Sequence, residues 1–185
     1  MDARRFEAPP IELGALGRDL MEALPGGAAY IEGDGSIVWA NAEALRMLGL
    51  SFEELTQRYV AEFGLATFNE DGSPCAIEQY PVTRALATGE PQEARTLGVR
   101  RSDGSTLWAV FSALPVKDPS GREIKGAIVT FLDITDRKRV EEELSRSRDL
   151  LRSAQKIANV GSWELELATG IVSWTEQMYE IHGFT

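Results

Sequence analysis

Two residues of this chain have the chemistry of a nucleophile or a soft metal ligand, Cys75 and His182, and each is the only one of its kind. A lone thiol cannot close an internal disulfide or supply a multi-thiolate zinc or iron–sulfur site. A lone histidine argues against a Ser-His-Asp triad and against a His-rich metal centre. Cys75 lies in Ser73-Pro74-Cys75-Ala76, a loop sequence with no neighbouring cation placed to lower its pKa. Gly33-x-Gly35 stands between two short strand-like runs, so it reads as a turn and not as a phosphate-binding loop. The carboxylates are spread along the chain, and no pair is fixed by spacing for acid–base work. Catalysis is therefore not expected of this chain. Asp133 and Thr135, two polar side chains flanking Ile134 where a strand-like run meets a charged helical one, are the positions where a conformational role is expected.

Charge narrows the partners. Nineteen Lys+Arg against 29 Asp+Glu give a formal net charge of −10. That balance disfavours nucleic acid and anionic membrane surfaces, which are held by clustered cations. No apolar run reaches the roughly 20 residues that span a bilayer, and Met1–Pro10 is not followed by the apolar stretch of a signal peptide. A cytoplasmic protein is expected. Hydrophobic content of 43% supports a packed core.

The elements that must hold these residues follow from periodicity. Ile11, Leu13, Leu16, Leu20 and Leu24 predict an amphipathic helix within 1–25, stopped by Pro25-Gly26-Gly27. Residues 28–31 and 37–40 read as a hairpin around Glu32-Gly33-Asp34-Gly35-Ser36. Asn41 is a helix N-cap type and Gly49 a C-cap, bracketing a helix that carries Ala44, Leu45 and Leu48. Ser51 with Glu54 forms a capping box for a second short helix over 52–58. Pro81 opens another that runs to Thr88-Gly89. Residues 59–80 show no clear period. Then come three long strand-like runs, 92–101, 106–116 and 122–133, separated by Ser102-Asp103-Gly104 and Asp118-Pro119-Ser120-Gly121. Hairpin, short helices and meander together predict an α+β fold: one five-stranded antiparallel sheet with the helices on one face.

Beyond Thr135 the chain turns strongly charged. Val140, Leu144, Ser147, Leu151, Ala154 and Ala158 recur at spacings of 4, 3, 4, 3 and 4, a heptad seam in a helix over 136–159. Val140, Leu144 and Leu151 are its apolar members, and a homodimer through them is expected. Residues 160–185 then echo an earlier segment. Ile37-Val38 matches Ile171-Val172, Asn41 matches Thr175 and Gly49 matches Gly183, each at an offset of 171 − 37 = 134. A second copy of the opening motif is expected there. It lacks a meander to cover it, so the sequence reads as the N-terminal part of a longer protein. Trp163, Trp174, Tyr179 and Phe184 should then expose apolar surface.

These pieces, in order, resemble the PAS sensory domain family. The resemblance rests on Tyr30-Ile31-Glu32-Gly33-Asp34-Gly35-Ser36-Ile37-Val38, the Asn41 cap, Leu48-Gly49 and Arg100-Arg101-Ser102-Asp103-Gly104-Ser105. It extends through Gly126-Ala127-Ile128-Val129-Thr130-Phe131 into Asp133-Ile134-Thr135. It covers 13–158 and restarts at Val160-Gly161-Ser162-Trp163. It implies a domain over 26–135 with a cavity between sheet and helices, whose candidate liners are Met47, Leu55, Phe63, Leu86, Trp108, Val110, Val129 and Phe131. It implies a signal relay at Asp133, Ile134 and Thr135. It also implies an input and dimerisation role beside an effector domain of the same polypeptide, a bacterial histidine kinase of a two-component system first. The rival readings are a ligand-free spacer and the input domain of a diguanylate cyclase. Histidine-ligated haem is disfavoured because no histidine precedes residue 160. A photoadduct flavin is disfavoured because Cys75 lacks the Asn-Cys-Arg context of that branch. His182 lacks the downstream acidic residue and proline of a kinase phosphoacceptor, so a helix-end role is expected. The identity of any small-molecule ligand is left open.

Overall fold

The computed structural model describes residues 15–183, which divide into two compact units at Asp136/Arg137. Ile11, Leu13, Phe184 and Thr185 lie outside the described residues.

The first unit runs α1 (Ala15–Glu22), β1 (Gly27–Glu32), β2 (Ile37–Ala40), α2 (Ala42–Leu48) and α3 (Phe52–Thr56). A 3₁₀ turn (Val60–Leu65) and β3 (Thr67–Phe68) follow, then α4 (Pro81–Thr88), β4 (Gln92–Arg100), β5 (Thr106–Lys117) and β6 (Ile124–Asp133). The strands form one antiparallel sheet in the order β2-β1-β6-β5-β4-β3. It has six strands where five were expected. The sixth, β3, pairs only Thr67 with Val99 and Phe68 with Gly98, too short a run to show an alternating pattern.

Local chemistry explains most boundaries. The sequence Asp-Gly-Ser occurs at three turns. In each, the Asp Oδ1 accepts from the Ser backbone N–H two residues on: Asp34 from Ser36, Asp71 from Ser73 and Asp103 from Ser105. The intervening glycines take φ of 89°, 81° and 83°, a region closed to most side chains. Asn41, fully buried, joins four partners. Its Oδ1 accepts from Ala28 N–H and Ala44 N–H, and its Nδ2 donates to the Met21 and Gly26 carbonyls. One side chain thus caps α2, fixes the start of β1 and ties down the end of α1. Ser51 and Glu54 make the expected capping box at α3.

The core lies between the sheet and α2–α4. Helix α1 corrects the one-sided expectation: its Met21 packs with Ala28, Tyr30 and Trp39 on the other side of the sheet.

The second unit contains most of α5 (Thr135–Ala158), then β7 (Trp163–Glu166), β8 (Ile171–Trp174) and α6 (Glu176–Ile181). No residue of α5 is buried, and Val140, Leu144 and Leu151 stand 64%, 51% and 60% exposed. β7 and β8 pair antiparallel with Trp163 opposite Trp174. No helix among the described residues is long and apolar enough to cross a membrane.

Candidate functional site

Strand alternation sends one row of each strand toward the helices. Ala29 and Ile31 of β1, Leu97 and Val99 of β4, Leu107, Ala109, Phe111 and Ala113 of β5, and Ala127, Val129 and Phe131 of β6 make this inner row. Phe111 and Phe131 are register partners and stack at 5.2 Å with their rings 25° apart. Gly27, directly opposite Phe131, leaves room for that ring: a Cβ there would come within 2.3 Å of it. Ala109, Ala113 and Ala127 of this row are buried and lie away from the space that remains, and of its alanines only Ala29 borders that space.

The space left is a cavity of about 100 Å³. Its sheet wall is Ala29, Ile31, Ile37, Leu97, Val99, Phe111, Val129 and Phe131, and its helix wall includes Leu48, Leu55, Val60, Phe63 and Val82. Only Thr67 and Tyr80 bring polar side chains to it. The Thr67 hydroxyl donates to the Phe63 carbonyl at 2.9 Å, and the Tyr80 hydroxyl reaches the same oxygen at 3.2 Å. Burial pushes the Tyr80 pKa up, so its proton stays in place.

Four of the eight expected liners meet here: Leu55, Phe63, Val129 and Phe131. The other four do not. Trp108 and Val110 project from the outer face of β5, because the inner row runs through Leu107, Ala109 and Phe111. The expected parity was one residue out, which turns every side chain of a strand over. Trp108 instead meets Phe68 edge-on at 5.2 Å. Met47 is 2% exposed but is closed into the core around α2. Leu86 is half-buried against that core, while Val82 and Pro81, one turn earlier on α4, face the cavity. Ile31, Ile37, Leu97, Val99 and Phe111 went unrecognised. The alternation around them was visible, but which row faces inward was not.

The strand-to-helix junction is tightly built. Ile134 N–H donates to the Trp108 carbonyl at 2.8 Å, and the Trp108 N–H donates to Thr135 Oγ1 at 3.0 Å. Asp133 Oδ1 accepts from Thr135 N–H at 2.8 Å. Asp133 serves the first turn of α5, whereas the Thr135 hydroxyl fastens that turn to β5. The backbone of one residue, Trp108, is held from both sides by the triplet.

Cys75 is buried, its thiol pKa raised by burial more than the nearby Arg95 lowers it. That is the state of a packed thiol and not of a reactive one. His182 ends α6, with Nδ1 2.9 Å from the Met178 carbonyl and its ring 5.1 Å from that of Trp174.

The sequence pattern of the PAS fold matches residues 21–139. A blue-light-activated histidine kinase of Brucella ovis is 26% identical over 163 residues, covering 82% of this chain and 32% of the kinase. The Brucella anthropi protein of the same name is 25% identical over 172 residues, with the same coverage. The chain thus spans about a third of the length of these relatives. Among solved structures, an RNA-binding light-oxygen-voltage receptor superposes with a TM-score of 0.53 at 22% identity, covering 80% of this chain and 41% of that one. A light-oxygen-voltage domain studied with a flavin analogue gives 0.52 at 20% identity, covering 74% and 96%. Both likenesses concern the fold.

Proposed function

The chain belongs to the PAS fold family, and from that premise we propose that it is the sensory input and dimerisation module of a larger signalling protein. The cavity receives the signal, the sheet transmits it, and α5 carries it to an effector in the same polypeptide, a histidine kinase. The supporting observation is the clamp at Trp108. Strand β5 contributes Phe111 to the cavity wall and, three residues earlier, fixes the first turn of α5 through Ile134 and Thr135. A shift of β5 against β6 alters the angle at which the helix leaves. The exposed heptad positions Val140, Leu144 and Leu151 supply the seam through which two copies pair. Residues 160–185 are read as the opening of a second copy of the fold, after a domain over 26–135 and a signalling helix over 136–159.

The test is made in a kinase that carries this chain. Thr135→Val removes the oxygen that accepts from Trp108 N–H and keeps the side-chain shape. Autophosphorylation should lose its response to the stimulus, while the melting temperature of the domain changes by only a few degrees. Inserting four residues after Glu143 should alter basal output by breaking the seam, and inserting seven should restore it. If output ignores Thr135→Val and both insertions, the chain is a spacer.

A further inference from the structure

The walls of the cavity restrict what can enter it. Apart from Thr67 and Tyr80, every lining side chain is apolar, and no charged residue lines it. The protons of those two hydroxyls are directed at a single backbone oxygen, that of Phe63. Among the described residues no buried side-chain nitrogen or oxygen lacks a partner, so no donor waits for a phosphate, carboxylate or ribityl hydroxyl. Bringing an ion into such a place without a partner costs several kcal/mol or more. Size points the same way. The volume is about 100 Å³; an apolar cavity of about 150 Å³ lined by Leu, Ile and Phe stays dry and takes up benzene. The stacked Phe111 and Phe131 rings with Phe63 give it an aromatic boundary.

We infer that this cavity takes a small, uncharged, apolar molecule with the bulk of about one aromatic ring, and that flavins, nucleotides and carboxylated metabolites are refused. The inference rests on the sensory reading for its biological meaning but not for its chemistry.

The 185-residue chain is titrated separately with benzene, benzoate and flavin mononucleotide, followed by methyl NMR and by melting. Benzene should shift the methyl signals of Leu55, Leu97 and Val129. At tenfold its dissociation constant it should raise the melting temperature by about 3–6 °C. Benzoate and flavin mononucleotide should do neither. Ala29→Leu fills the space and should weaken benzene at least tenfold. Should that variant fail to fold, Leu55→Ala enlarges the space and should admit propylbenzene at least tenfold more tightly than the unaltered chain does. Absence of any benzene effect, or binding of benzoate or flavin mononucleotide as tight as that of benzene, overturns the inference. The sensory reading fails separately: benzene binds as expected, yet Ala29→Leu leaves the output of the parent kinase and its response to stimulus unchanged.

Discussion

Residues 27–49 and 161–183 share two strand pairs and have opposite surroundings. Ala29 pairs with Ala40 as Trp163 does with Trp174, and Tyr30 with Trp39 as Glu164 does with Ser173. They part at the turn, where Ile31 shifts onto Ile37 but Leu165 faces Val172. β2 spans Ile37–Ala40 and β8 spans Ile171–Trp174, each end displaced by 134. The Asn41 N–H donates to the Ala28 carbonyl, and the Thr175 N–H donates to the Ser162 carbonyl, again 134 further on and each at 2.9 Å. The Asn41 Oδ1 accepts from Ala28 N–H at 2.9 Å, and the Thr175 Oγ1 accepts from Ser162 N–H at 3.0 Å. Both helices are followed closely by a glycine with positive φ, 68° at Gly49 and 75° at Gly183. Burial separates them. Ala29 and Ile37 are 7% and 5% exposed, whereas Trp163 and Ile171, 134 further on, are 60% and 59% exposed. A hairpin and its helix can form their turns, caps and ladder from nearby residues. They cannot bury their faces without strands that arrive from far along the chain.

Asn41 and Thr175 differ in a further way. The amide of Asn41 also caps α2 through Ala44 N–H, but the hydroxyl of Thr175 makes no cap bond to α6. Both were expected to cap. A threonine oxygen sits one bond nearer the backbone, and here it is engaged with Ser162.

The sharpest way to break the comparison is at the tryptophans. Trp39→Ala should cost the first unit about 3–5 kcal/mol in urea unfolding, while Trp174→Ala should leave that transition where it is. Asn41→Ala strands Ala28 N–H, Ala44 N–H and the Met21 and Gly26 carbonyls. It should cost about 3 kcal/mol by the same measurement. Thr175→Ala, which removes exposed bonds to Ser162, should cost the second hairpin no more than about 1 kcal/mol by hydrogen exchange. The two glycines sharpen the likeness instead. Gly49→Ala and Gly183→Ala should each cost their own helix about 1–2 kcal/mol, because the penalty for a positive φ is local. At neither position would a Cβ meet an atom closer than 3.6 Å. Unequal values there would show that tertiary cover, and not the backbone, sets the cost.

The smallest effect is that of pH. Asp118, in the β5–β6 turn, has its pKa lowered to about 2, first by the backbone N–H of Glu123 and then by Ser120. Asp34, Asp71 and Asp103 are lowered too, each first by the hydroxyl of the serine two residues on. A folded pKa below the unfolded value of about 3.9 means that this contribution is complete above pH 5 and is lost as pH falls from about 4 toward 2. Asp118→Asn should flatten the acid limb of the first unit's stability profile. The β7–β8 turn, Leu167-Ala168-Thr169-Gly170, has no aspartate, so hydrogen exchange in that hairpin should show no matching acid step.

Much of the fold was legible in order. The hairpin, the three caps, α4 and the meander stand within two residues of their expected ends, because each boundary is set by a turn or cap residue acting on its neighbours. β3 was not legible, since two residues have no period and pair only because β4 passes by. The site was half legible. Leu55, Phe63, Val129 and Phe131 were found as apolar residues on suitable elements. Trp108 and Val110 were misplaced because alternation gives two rows without saying which is inner.

By itself, then, the sequence determined the local geometry of both halves: turns from Asp-Gly-Ser, caps from Asn41 and Ser51, and positive-φ stops at Gly49 and Gly183. Those are short-range interactions among residues a few positions apart. Tertiary structure decided which strand face is inner and that a cavity of about 100 Å³ remains between Phe131 and Leu55. It also decided that Thr135 reaches back to Trp108 across 27 residues. These depend on strands distant in the chain meeting in one register, and a one-residue shift in any of them would have exchanged the two faces.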